Sequence, residues 1–79
     1  MYLQNDMRSR RKTLYICEIK FLNQPVDASI ISEVQTKIAR LSLPRYFSYR
    51  PVLIHVNGVQ NAIKASEFFD EIVDFRTLV

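Results

Sequence analysis

Two apolar runs of strand character, joined by one segment of helical period, limit what this chain can fold into. The first spans residues 14–21, Leu-Tyr-Ile-Cys-Glu-Ile-Lys-Phe. The second is the continuous run Val52-Leu53-Ile54-His55-Val56. An unbroken apolar run suits a strand covered on both faces and parallel to its neighbour. Parallel strands need a long crossover, usually a helix. Residues 28–42 supply it, with Ile30, Ile31, Val34, Ile38 and Leu41 on one face at helical spacing. Asp27 or Ser29 can cap this helix, Glu33 and Lys37 stand four apart in the favourable order, and Pro44 lies just beyond its end. The predicted fold class is therefore α/β: a mixed sheet with a β-hairpin, a βαβ crossover, a short helix and an edge strand.

The first run carries a problem within it. Alternate side chains of a strand point to opposite faces, so Leu14, Ile16, Glu18 and Lys20 share one face. Tyr15, Cys17, Ile19 and Phe21 share the other, which is apolar but for one hydroxyl. A Glu and a Lys side by side on a hydrophobic strand have two readings. In the first, the strand is half exposed and carries an ordinary ion pair on its wet face. In the second, Glu18 is a hard oxygen ligand for Mg²⁺, and Lys20 steadies a phosphate oxygen or an attacking hydroxide.

Glu18-Ile19-Lys20, on such a strand and followed by a helix, resembles the E-x-K half of the PD-(D/E)XK nuclease superfamily. Cys-Glu-Ile-Lys-Phe, a loop and helix, and then Val-Leu-Ile-His-Val-Asn-Gly look closer still to one subgroup. That subgroup is the nuclease-like domain at the C-terminus of many prokaryotic AAA-type ATPases. The resemblance runs from about Leu14 onward. It implies a restriction-endonuclease-like core and metal-dependent hydrolysis of DNA. It assigns Glu18 and Lys20 as catalytic residues, and Glu18 with the backbone carbonyl of Ile19 as ligands of Mg²⁺ or Mn²⁺. Gln35 or Lys37, on the following helix, become accessory candidates beside the reading that both are a solvated helix margin. It also implies an ATPase domain as a partner.

The chain departs from that pattern in one respect. The family's other acidic residue lies late in the preceding strand. Here that strand reads as residues 1–4, and the nearest acid, Asp6, falls on the loop after it. The chain thus reads as a single nuclease-like domain over residues 1–79, incomplete at its N-terminus and of little activity as it stands. The alternative is a non-catalytic module that binds DNA or a protein partner.

Charge sharpens the choice of partner. Arg8, Arg10, Arg11 and Lys12 crowd the hairpin tip, while elsewhere seven basic residues face eight acidic ones. The tip is a candidate phosphate-backbone contact or a charged, solvated turn. No aromatic residue interleaves these four, as a stacking platform requires. Residues 43–50 read as a loop in which Arg45, Tyr46, Phe47, Tyr49 and Arg50 either grip nucleic acid or cover the end of the core.

The remaining features exclude more than they assign. The single cysteine and single histidine make neither a disulfide nor a zinc site. Cys17 reads as a buried structural thiol and His55 as a satisfied core or edge histidine. No run approaches the ~20 apolar residues of a membrane helix and no signal-peptide region is evident, so the chain reads as cytoplasmic with no membrane partner. A domain this small buries only about 60% of its unfolded surface. A short first strand leaves the edge of residues 13–21 open, and such edges invite pairing, so a homo-oligomer is expected. A short helix from residue 65 or 66 to 69 and an edge strand over residues 71–75 complete the reading. Glu67, Asp70, Glu71 and Asp74 read as a solvated acidic face.

Overall fold

A computed structural model describes the backbone of residues 2–6 and 11–78, and the side chains from Lys12 to Leu78. Its elements run β1 (Tyr2–Asp6), β2 (Arg11–Lys20), α1 (Ser29–Leu41), β3 (Phe47–His55), α2 (Asn61–Ser66) and β4 (Glu71–Asp74), closed by a 3₁₀ turn at Phe75–Leu78. The four strands form one sheet in chain order. β1 and β2 pair antiparallel as a hairpin, while β2, β3 and β4 are parallel. The α/β class, the hairpin, the helical crossover and the edge strand all stand as expected.

Several boundaries differ, each for a local reason. The hairpin strands reach Asp6 and start again at Arg11, so much of the expected polar loop is strand. Residues 7–10 lie outside the described residues. β3 begins at Phe47, so half of the expected loop over residues 43–50 is paired with β2. Pro51 sits inside this strand without breaking it. The Lys12 N–H donates to the Tyr46 carbonyl at 3.1 Å, so the even-numbered amides of β3 face β2. The nitrogen of Pro51 faces the β4 side, and β4 begins only opposite Val52. The missing donor therefore costs no ladder bond. The second helix falls earlier than expected, at Asn61–Ser66. Glu67 then takes a left-handed conformation (φ 55°) and its N–H closes on the Lys64 carbonyl.

One core holds the layers together. Ile16 of β2, Leu53 of β3, Ile30 and Val34 of α1, Ile63 of α2, and Val26 and Phe69 from the connections are all buried. Both helices therefore lie on one face of the sheet, the face of Leu14, Ile16, Glu18 and Lys20. This corrects two expectations at once. Cys17 is exposed, not buried, and the apolar face of β2 is the open one, with Ile19 59% and Phe21 53% exposed. The cause is tertiary: α1 supplies partners for Glu18 and Lys20, and nothing among the described residues covers Cys17.

The C-terminal ends of the parallel strands are tied by short links. Val26 bridges Val59, with Val26 N–H to Gly58 carbonyl at 3.0 Å and Gln60 N–H to Val26 carbonyl at 2.9 Å. Gly58 sits at φ 86°, a conformation that glycine adopts without a Cβ clash. Asn57 Nδ2 donates to the Leu22 carbonyl.

Candidate functional site

The charges of the Glu18-Ile19-Lys20 motif are met by α1. Residues two apart on a strand are separated by about 6.6 Å, and residues four apart on a helix by about 6 Å along its axis. Glu18 and Lys20 on β2 thus match Lys37 and Glu33 on α1, with signs crossed. Lys37 Nζ donates to Glu18 Oε1, and Lys20 Nζ stands 3.6 Å from Glu33 Oε2. The helical i,i+4 pair expected between Glu33 and Lys37 is replaced by two bridges to the strand below.

The two bridges differ in depth. Glu18 is only 7% exposed, whereas Lys37 reaches in from the rim with its side chain 57% exposed. A buried carboxylate needs such a partner, because an unpaired buried charge costs several kcal/mol. Around the pair lies a groove of about 340 Å³, lined by Ile16, Cys17, Glu18, Lys37, Arg40 and Leu41. Lys20 opens instead onto a smaller hollow of about 210 Å³ with Leu22, Val26, Asp27, Ser29 and Glu33. There Asp27 accepts from the Ser29 N–H at 2.8 Å and from the Ser29 hydroxyl. Those bonds, the hydroxyl's first, hold its carboxyl below the ordinary range, and they secure the start of α1.

Among the described side chains this donor set is too small for a divalent cation. Glu18 brings one carboxylate, already neutralised by an ammonium, and a second ammonium stands two residues along the strand. The Ile19 carbonyl lies in the sheet plane at the strand edge, while the Glu18 side chain rises to the helix face. Among the described residues no group of three or more His, Cys, Asp or Glu is placed to hold a metal. Gln35 is exposed on α1, away from these contacts. Of the two accessory candidates, Lys37 is the one brought to Glu18.

Register places a further set of polar residues that the sequence reading treated separately. Lys20, His55 and Asp74 lie side by side across β2, β3 and β4, at the carboxyl ends where open α/β sheets bind ligands. Each is already engaged. His55 is buried and its Nδ1 accepts the Gly58 N–H at 3.0 Å, as expected of a satisfied histidine. Asp74 is gripped by Arg76, through Nη2 at 2.7 Å, Nε at 3.1 Å and the backbone N–H at 3.0 Å. The Arg76 side-chain bonds, then its amide, then the charges of Arg76 and His55, lower the Asp74 carboxyl to about 2. The expected acidic face is dispersed accordingly, since Asp70 pairs with Arg50 at 2.9 Å.

At the opposite end of β2 the structure joins two features that are far apart in sequence. Lys12 Nζ lies 5.9 Å from the Tyr46 ring centre and 5.7 Å from that of Phe47. The two rings are tilted neighbours at 5.1 Å, and Tyr46 is half exposed. The parallel start of β2 and β3 makes this contact. Of the other basic tip residues, Arg8 and Arg10 lie outside the described residues, as does the side chain of Arg11. Next along β3, Ser48, Tyr49, Arg50 and Pro51 line a hollow of about 350 Å³ with Glu67, Phe68 and Asp70. Interleaving of cations with aromatic rings, absent from the linear sequence of the tip, is thus present in space.

No family model, curated protein or solved structure matches this chain. No helix among the described residues is long and apolar enough to cross a membrane.

Proposed function

We propose that this chain is a nuclease-like domain that binds nucleic acid through the Lys12–Tyr46 end of its sheet and does not cleave it unaided. The observation that carries the reading is the Lys12 ammonium set against the Tyr46 and Phe47 rings, with Tyr46 half exposed. A cation beside a ring with free surface is what single-stranded nucleic acid uses: phosphates meet the charge and bases stack on the ring. In the sequence Arg8, Arg10 and Arg11 lie within the four residues before Lys12. DNA is the partner that the PD-(D/E)XK resemblance implies.

The second reading is metal-dependent phosphodiester hydrolysis on the restriction-endonuclease-like core, with Glu18 and Lys20 catalytic and Mg²⁺ or Mn²⁺ at Glu18 and Ile19. It is favoured by Glu18 and Lys20 sharing one face at a strand end, and by Lys37 reaching Glu18 from the following helix. It requires a carboxylate from outside the described residues, on an upstream strand or an associated ATPase domain.

One experiment separates the two readings. Labelled single-stranded and duplex oligonucleotides are titrated with the chain over a range of salt, and the same mixtures are assayed for cleavage with Mg²⁺ and Mn²⁺. The expected result is salt-dependent binding that favours single strands, weakened by Tyr46→Ala, with no cleavage. Binding unaffected by Tyr46→Ala and by replacement of the four basic tip residues would remove the proposed surface. Cleavage that disappears in Glu18→Ala would establish the second reading in its place.

A further inference from the structure

β2 is twice as long as the strand that covers its outer edge, and the uncovered half has a definite chemistry. β1 pairs with Arg11 to Tyr15 only, while β2 runs on to Lys20. Residues alternate in the edge to which they turn their N–H and C=O groups. The Lys12 amide bonds to Tyr46 of β3, so the even-numbered residues of β2 face β3 and the odd-numbered ones face outward. Arg11, Thr13 and Tyr15 spend those groups on β1. Cys17 and Ile19 have no strand beside them among the described residues. Two donors and two acceptors in a row are hydrated in the isolated chain, and among protein partners an extended strand is what satisfies them together.

We infer that the occupant of this edge is the same edge of a second copy, giving an antiparallel β2–β2 pair about a two-fold axis through Glu18. The argument is self-complementarity. In that register Cys17 of each copy is the hydrogen-bonded partner of Ile19 in the other, and four bonds use all eight outward groups. Ile16 stands opposite Lys20, where β2 ends. The next position is that of Tyr2, which is paired with Tyr15, so the described part of β1 is not displaced. Apolar surface is covered as well, because Ile19, 59% exposed in one copy, packs beside Cys17 of the other on the open face.

The charges fit the same register. The two Glu18 carboxylates meet near the axis, a costly arrangement if they were bare. Each already holds Lys37, and each has Lys20 of the other copy as its diagonal neighbour across the strands. Two Lys37 and two Lys20 ammonium groups, each Lys20 also facing Glu33 of its own copy, therefore lie around the two Glu18 carboxylates. The groove of Ile16, Cys17, Glu18, Lys37, Arg40 and Leu41 is closed by the incoming strand. This pairing is independent of the nucleic-acid reading, whose surface lies at the other end of β2.

Sedimentation equilibrium from low to high micromolar concentration tests it first, and a reversible monomer–dimer equilibrium is expected. Ile19→Pro is the discriminating variant. It removes an outward N–H that the monomer does not use, and proline is tolerated on an open edge. By symmetry it deletes two hydrogen bonds per dimer, for about a thirtyfold weaker association, with the circular dichroism of the fold retained. Should that variant fail to fold, Ile19→Cys answers the question instead. Hydrogen-bonded antiparallel partners have Cα atoms about 5.5 Å apart, within disulfide range. Mild oxidation is then expected to give a covalent dimer joined between positions 17 and 19 of different copies, which the unaltered chain does not form. A monomer at every concentration, or no such crosslink in Ile19→Cys, overturns the proposal.

Discussion

Each end of β2 carries a lysine, and the two are used in opposite ways. At the carboxyl end, Glu18 and Lys20 turn inward to the helix layer and are matched by Lys37 and Glu33 of α1. At the amino end, about 20 Å away along the strand, Lys12 rests against Tyr46 and Phe47, and the Thr13 hydroxyl hydrogen-bonds with that of Ser48. The first arrangement pairs its charges, Glu18 being buried, and fastens a helix to a sheet. The second leaves a cation and a ring surface open for a ligand. The lesson is that charge on a strand acquires its role from what lies above it, and α1 lies above only one end.

The contrast is broken most severely by Lys37→Ala. This leaves Glu18 buried without a partner. Loss of about 2–3 kcal/mol of stability is expected in a denaturant titration, below the 3–5 kcal/mol of a fully buried pair because Lys37 is largely exposed. The double variant Glu18→Leu with Lys37→Met is expected to recover most of that loss, since an apolar pair of similar volume needs no charge partner. If Lys37→Ala costs nothing, the carboxyl end is not a clamp and Glu18 is free for other chemistry.

At the amino end the expected effect is on binding. Tyr46→Ala is expected to weaken single-stranded oligonucleotide binding by about 1–3 kcal/mol, the loss of one stacked base, at nearly constant stability. Lys12→Ala is expected to lower the salt slope by about one. Fluorescence anisotropy at several salt concentrations measures both. A Tyr46→Ala variant that loses stability and no affinity would make this end a core cover.

Lys20→Ala probes the shallower bridge of the clamp. Its partner Glu33 is exposed and the pair stands at 3.6 Å, so a change of at most about 0.5 kcal/mol is expected by thermal melting. A cost equal to that of Lys37→Ala would mean that the two bridges act as one unit.

The smallest effect concerns pH. Asp74 is lowered to about 2 by Arg76, against an unfolded value near 4. A depressed folded value gives a contribution that is complete above the unfolded value and is lost as pH falls from about 4 towards 2. Asp74→Asn is expected to flatten the acid limb of the stability profile slightly in that window and to leave neutral pH almost unchanged. A large shift at neutral pH would overturn this expectation.

Much of the fold was legible because it rests on short-range pattern. The 3.6-residue spacing of Ile30, Val34, Ile38 and Leu41 marks α1 to within a residue at each end, and Asn57-Gly58 marks the turn after β3. The second helix was misplaced because Asn61 to Ser66 contributes a single buried anchor, Ile63, too few for a periodicity. The candidate site was legible in residue type and not in partnership. That Glu18 and Lys20 share a face follows from counting by two. That this face is the buried one does not, because the opposite face is more apolar.

The sequence by itself determined the α/β class, the two strand cores, the crossover helix and the sharing of one strand face by Glu18 and Lys20. These depend on backbone periodicity and steric limits, which act over a few residues. Only the tertiary structure decided which face of the sheet the helices cover, that Lys37 and Glu33 take up the charges of the motif, and that Lys12 meets Tyr46. Those outcomes depend on α1 crossing over β2 and on the parallel register of β2 with β3. Both are set by contacts between residues tens of positions apart, which no local pattern encodes.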